Sequence, residues 1–323
     1  MDFQLTEDQR ALRGGVRDLL EGRFDVRAAL DEGSSLDRGL WKELGDAGFF
    51  SLMVPEADGG VGLGLPEAVL AFEEAGRVLL TGPLVGTLLA SGAVDGAASG
   101  EAVVTCSFGS LVPWLDEADV VLGGGVESAV PFRSLDPLTP LHRLPRGGGL
   151  AHPSRPAGRL PKTRAGVGAK AEARAGVKAE ARVGAGAADR DLADLLIAAE
   201  QLGSAGKTLE MAVRYAQERT QFGQAIGGFQ AVKHLCAQML VRVEVARGAV
   251  YAAAVTGDVL EIAGAKLLAD EAAVRNARDC LQVHGGMGFT WEADVHLHLK
   301  RAWVRAGLGR SAAQAEEELA AAL

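Results

Sequence analysis

Apolar residues recur at helical spacing over most of this chain. Leu12, Val16, Leu19 and Leu20 fall on one face of a helix. Thr6-Glu7-Asp8-Gln9 precedes them as an N-cap with an acidic first turn. Leu40, Trp41, Leu44 and Ala47 form a second, short stripe, closed by Gly48. Pro66 stands at a first-turn position, and Val69, Leu70, Phe72, Glu73, Ala75 and Gly76 continue a third helix. A fourth is predicted from about Leu84 to Ala90. Towards the C-terminus the stripes lengthen. Leu192, Leu195, Leu196, Ala199, Leu202, Leu209 and Val213 mark one long helix. Val232, Leu235, Cys236, Met239, Val243, Ala246 and Val250 mark a second, and Leu260, Ala263, Leu267, Val274, Ala277 and Leu281 a third. Shorter patterns around Val295–Val304 and Ala312–Leu323 follow. Three long amphipathic stripes with short connections predict an antiparallel bundle.

The middle of the chain breaks this pattern. Ala102-Val103-Val104-Thr105-Cys106-Ser107-Phe108 and Asp119-Val120-Val121-Leu122 are short β-type runs punctuated by Gly and Pro. Next comes a low-complexity stretch in which Lys-Ala-Glu-Ala-Arg occurs at 170–174 and again at 178–182. It lacks large apolar residues and is predicted to be a disordered linker. The predicted organisation is a helical domain over 1–100, a reduced β segment over 101–145, a linker over 146–188 and a helical bundle over 189–323. The fold class is mainly α.

Composition narrows the function. A net charge of −9 argues against nucleic acid as the main partner. Cys106, Cys236 and Cys280 are widely spaced, suit neither a zinc site nor a disulfide framework, and read as reduced core residues of a cytoplasmic protein. No apolar run is long enough to span a bilayer, and Met1-Asp2-Phe3-Gln4 has no secretory character. His284, His296 and His298 do not have metal-pair spacing and read as packing or surface residues.

The candidate chemistry lies in Glu218-Arg219-Thr220-Gln221-Phe222-Gly223-Gln224-Ala225-Ile226-Gly227-Gly228-Phe229-Gln230. An Arg at a helix C-terminus sits well with the macrodipole and can fork onto a phosphate. Phe222 and Phe229 can line an apolar wall, and Gln230 opens the next helix with a free amide.

This stretch resembles the flavin-contacting turn of acyl-CoA dehydrogenases, Arg-x-x-Phe-Gly-x-x-Ile-x-x-Phe-Gln. Gln282-Val283-His284-Gly285-Gly286-Met287-Gly288-Phe289 resembles the same family's Gln-x-x-Gly-Gly-x-Gly-aromatic loop, and Val54-Pro55-Glu56-Ala57-Asp58-Gly59-Gly60 its N-terminal Pro-Glu-x-x-Gly-Gly signature. The three motifs occur in family order. The resemblance implies FAD as cofactor and an acyl-CoA as substrate. Arg219 would bind the pyrophosphate, with Phe222 beside it, and Gln230 would hydrogen-bond the ADP half. Gln282, Gly285 and Gly286 would bring backbone N–H groups to the same part.

Three family features are missing. The segment Thr-Glu-Pro-x-x-Gly-Ser-Asp, which touches the flavin ring in the family, is not found, nor is the Trp-Ile-(Thr/Ser) strand. The catalytic Glu is missing as well. One family position for it, counted from Phe289, falls at Gly309. The other, counted back from Arg219, falls at Ala193, beside Asp194, which reads more readily as a first-turn acid than as a base. The resemblance is therefore to the shortened, base-less subunit of heteromeric, α2β2-type actinobacterial enzymes acting on steroid side-chain CoA esters. A full-length acyl-CoA dehydrogenase-like subunit would be its partner. A homomeric enzyme with Asp194 as relocated base, and a scaffold without flavin, stay open at this point.

Overall fold

The computed structural model describes residues 4–33, 35–123, 125–145 and 187–322. The predicted linker lies outside them, apart from its last two residues, which begin a helix. Five helices come first: α1 (Glu7–Arg23), α2 (Val26–Asp31), α3 (Arg38–Asp46), α4 (Leu65–Val78) and α5 (Leu84–Ala90). Their starts follow the capping residues. Thr6 and Gln9 form a reciprocal capping box on α1, Asp25 and Asp37 cap α2 and α3, and Pro66 occupies the first turn of α4.

Short strands follow: β1 (Val104–Cys106), β2 (Leu111–Pro113), β3 (Val120–Leu122), β4 (Val130–Phe132) and β5 (Leu141–Arg143). β1 pairs with β3 in parallel, and β2, β5 and β4 form a separate antiparallel sheet in that order. Each strand is three residues long, so neither sheet closes into a barrel.

The bundle consists of α6 (Ala187–Glu218), α7 (Gln230–Thr256) and α8 (Val259–His284), followed by α9 (Val295–Ala306) and α10 (Ala312–Ala321). Between α6 and α7 lies a hairpin of β6 (Thr220–Gln221) and β7 (Gln224–Ala225). α6 packs along α8 and α7, and also crosses α4.

That crossing joins the first part of the chain to the last, and small residues allow it. A Cβ on Gly76 would lie 2.0 Å from the carbonyl oxygen of Glu200, and one on Gly203 would lie 1.8 Å from that of Glu73. Backbone meets backbone there, so any side chain would force the helices apart. Around it lies a continuous core that takes in Trp41, Phe50 and Phe72 from the first helices and Leu195, Leu196, Leu202, Val250 and Ala269 from the bundle. Buried polar ties run through the same region. The Tyr251 hydroxyl donates to Glu73 at 2.6 Å, and Asn276 Nδ2 donates to the carbonyls of Ala205 (3.2 Å) and Met239 (3.1 Å). All three cysteines are free thiols. Among the described residues, no helix is long and apolar enough to cross a membrane.

Candidate functional site

The bundle topology brings the two glycine-rich motifs to one end. α6 and α8 both finish there, and α7 starts there. Tyr215, on the last turn of α6, stacks on His284, the last residue of α8, with centroids 4.1 Å apart and planes 21° from parallel. Arg219 directly follows α6, and its N–H still donates to the Tyr215 carbonyl at 2.9 Å, so its guanidinium stands at the negative end of the helix dipole. The chain then turns through Phe222 (φ +51°) and Gly223 (φ +79°). Two positive φ values in a two-residue loop match the turn that a right-twisted hairpin prefers. Gly tolerates that region, but Phe does not, at a cost of roughly 1–2 kcal/mol. Burial does not compensate, because Phe222 is 93% exposed, with its ring edge-on to Phe229. The strain holds an aromatic ring out into solvent.

α7 opens at Gln230 with no side-chain cap, which leaves first-turn N–H groups free for an anion. The side chains of Arg219, Gln230 and Gln282 are exposed and make no hydrogen bond to a described residue. Gly285 takes φ +58° and ψ −138°, a conformation essentially reserved for Gly. No atom lies within 4 Å of where a Cβ on Gly285 or Gly286 would be. Six separate positions thus present a free cation, free amides, open backbone and an exposed ring at one end of the bundle.

The structure also brings Gly309, one position at which the resemblance expects a base, against Asp194, the neighbour of the other, Ala193. Gly309 follows α9, and a Cβ on it would lie 2.0 Å from Asp194 Oδ1. Asp194 is not the first-turn acid read from the sequence. It sits two turns into α6, buried, and anchors the other end of the bundle. Its Oδ1 accepts the Arg310 N–H at 2.9 Å, and Oδ2 lies 3.2 Å from the Arg310 guanidinium, which also reaches Asp191 and Glu318. Burial raises the Asp194 carboxyl above its ordinary range, while the Arg310 N–H opposes that shift. All this makes Asp194 a positioning residue for the turn that carries Gly309.

Beside this turn, Leu308 and Ile197 line a cavity of about 50 Å3 under the β segment. Buried charges line the cavity as well as apolar bulk. Arg301 pairs with Asp136 and donates to the carbonyls of Leu79 (3.3 Å) and Leu80 (3.1 Å). Arg305 pairs with Glu200, and both are buried. Burial pushes Glu200 up and Arg305 down to about 10, the signature of an ion pair removed from water. The sequence reading missed these charges because they occupy helical positions where apolar residues are expected. Arg301 and Arg305, four apart on α9, were the available signal.

Comparison with known proteins identifies the frame. Residues 6–101 match the acyl-CoA dehydrogenase N-terminal domain, and residues 192–316 match the acyl-CoA dehydrogenase C-terminal domain. The acyl-CoA dehydrogenase IpdE2 of Mycobacterium tuberculosis is 34% identical over 303 residues, covering 92% of this chain and 91% of that protein. The chain belongs to the acyl-CoA dehydrogenase family, a family of oxidoreductases. Among solved structures, the ChsE4-ChsE5 complex from Mycobacterium tuberculosis aligns with a TM-score of 0.76 at 24% identity, covering 99% of this chain and 98% of that one. The Tcur3481-Tcur3483 steroid ACAD G363A variant aligns at 0.76 and 23% identity, covering 98% and 97%. At these identities the likeness is one of fold.

Proposed function

We propose that this chain is the base-less subunit of a heteromeric, FAD-dependent acyl-CoA dehydrogenase. In this reading it grips the ADP half of FAD, while a full-length relative houses the flavin ring and supplies the carboxylate. FAD, when bound, supplies the acceptor for the hydride leaving the β-carbon of the thioester. The residues at the motif end fit the nucleotide half in kind. Arg219 offers an unpaired guanidinium, the start of α7 offers free N–H groups, and Gly285 and Gly286 leave space for backbone to approach a diphosphate.

One observation carries the division of labour. At the place where Gly309 meets Asp194, the carboxylate is already spent on Arg310, and the adjoining cavity is about 50 Å3. Pockets that take a small organic ligand run to roughly 300–1,000 Å3. On this reading the acyl chain and its base lie on the partner's side, while Glu200, the carboxylate lining this cavity, is held by Arg305. Exposed apolar residues support the partner: Val241, Val245 and Val255 on α7, and Phe222, Phe289 and Trp291 near the motif end. A CoA ester of a steroid is proposed as substrate on the likeness to the steroid ACAD, and cytoplasmic location on the free thiols.

The test is to purify the chain alone and together with a full-length relative. Flavin absorbance and dehydrogenation are expected only from the pair. Arg219→Ala should strip flavin from the pair while the two chains still co-elute. Flavin-dependent turnover by this chain alone would end the proposal in favour of a homomeric enzyme.

A further inference from the structure

A second charged concavity lies away from the motif end, between α1, α4, α6 and α7. It is open, with a volume of about 390 Å3. Five arginines line it: Arg10, Arg13 and Arg17 from one face of α1, Arg77 from the end of α4, and Arg247 from α7. Five guanidinium groups are thus gathered in one concavity of a chain whose net charge is −9.

Three of these arginines belong to a fixed frame. Arg17 forks onto Glu74 at 2.8 and 2.7 Å, and Glu74 is almost wholly buried. Arg77 forks onto Glu210 at 2.9 and 2.8 Å and also reaches Glu74 at 3.2 Å. Arg247 leans on Glu73 at 3.7 Å and on Glu244, while Glu73 is held from the other side by Tyr251. Bidentate forks fix guanidinium planes, so the frame is built before any ligand arrives. It leaves donors over. Arg247 Nε is buried and has no partner. The side chains of Arg10 and Arg13 make no hydrogen bond or ion pair to a described residue, and Arg13 acts on Glu73 and Tyr251 only at longer range. The carboxylates able to pair, Glu73, Glu74, Glu210 and Glu244, are one fewer than the arginines, and each is already engaged.

We infer that this concavity is a binding site for a phosphorylated small molecule, with the guanidinium groups of Arg10 and Arg13 recognising a phosphate or diphosphate group. Two features select that chemistry. The lining is almost entirely polar, which disfavours an acyl or aromatic ligand. The free donors are guanidinium N–H groups, whose fork geometry matches phosphate oxygens. The site also lies between the N-terminal helices and the bundle, so its occupant would touch both. The inference does not depend on the flavin reading, since it uses none of the motif residues.

Titration of inorganic pyrophosphate into the purified full chain, followed by calorimetry at ~0.15 M salt, tests this. The work is done in the Arg219→Gln background, so that the motif end cannot contribute. Saturable binding at a single site is expected there, and adding Arg10→Gln and Arg13→Gln should weaken it by at least about tenfold. Both arginines are partly exposed and outside the ion-pair frame, so unchanged thermal unfolding checks that the variant is folded. ADP in the same background separates a free diphosphate from a nucleotide: equal affinity assigns the site to the phosphates alone, and tighter ADP binding assigns it to a nucleotide. The inference is overturned if pyrophosphate fails to bind at millimolar concentration, if Arg219→Gln alone abolishes binding, or if the Arg10/Arg13 variant binds as before.

Discussion

At the scale of single residues, much of this chain's character comes from charges and polar groups buried with their partners. His298 illustrates the consequence for pH. It is buried on α9, with Nδ1 2.8 Å from the Ser204 hydroxyl. Burial, with Lys207, Arg305 and Arg301 nearby, lowers its pKa to about 3. Between pH 6.5 and about 3 the unfolded chain therefore binds a proton at this position that the folded chain refuses. Stability from this group is complete above pH 6.5 and is lost as pH falls, by at most ~1.4 kcal/mol per pH unit. Glu73, Asp194 and Glu200 are all raised by burial and act in the opposite sense. The clean readout is thus a difference: urea midpoints of the native chain and of His298→Asn should converge as pH falls from 7 to 4. Parallel curves would show that His298 titrates normally. None of this could be read from the sequence, where His298 is one of three clustered histidines without metal spacing. The meeting of Gly309 and Asp194 was equally hidden, because 115 positions separate them and no periodicity links them.

At the scale of elements, periodicity and capping did most of the work. Thr6 with Gln9 starts α1, and the three long stripes became α6, α7 and α8. A stripe is legible when several turns repeat it, and illegible when there is one turn or less. That is why α2, six residues long, and the β6–β7 hairpin, two residues per strand, were not predicted. The motif over 219–230 was legible as a turn between helices, and its hairpin form, which holds Phe222 at positive φ, was not. Glycine within helices has two meanings that the sequence does not separate. Gly203 sits where α6 touches α4, and Gly248, on α7, faces open space. Gly203→Ala should cost about 1–3 kcal/mol or more, because its methyl would lie on the Glu73 carbonyl. Gly248→Ala should add about 0.5–1 kcal/mol, because it only removes backbone freedom from the unfolded chain. Chemical denaturation of the two variants should move the midpoint in opposite directions. A shift in the same direction would mean that the α4–α6 crossing relaxes more easily than its backbone contacts allow.

At the scale of the whole molecule, the chain has a deep core but an unfinished surface. Its β segment is five three-residue strands, its cavity under that segment is lined by ion pairs, and its apolar valines on α7 face outward. The proposed pairing with a full-length subunit would use each of these features. The covalent path between the strands and the bundle runs through 146–186, yet the first and last parts of the chain do not depend on that path to stay together. The Gly76–Gly203 crossing interlocks them, and the Arg301–Asp136 and Tyr251–Glu73 ties span the same divide. The gene could therefore be split in two. Separate polypeptides ending near residue 145 and starting near residue 187, made in one cell, should find each other and co-purify as a single particle with an unchanged helical spectrum. Either fragment made without its counterpart should be insoluble.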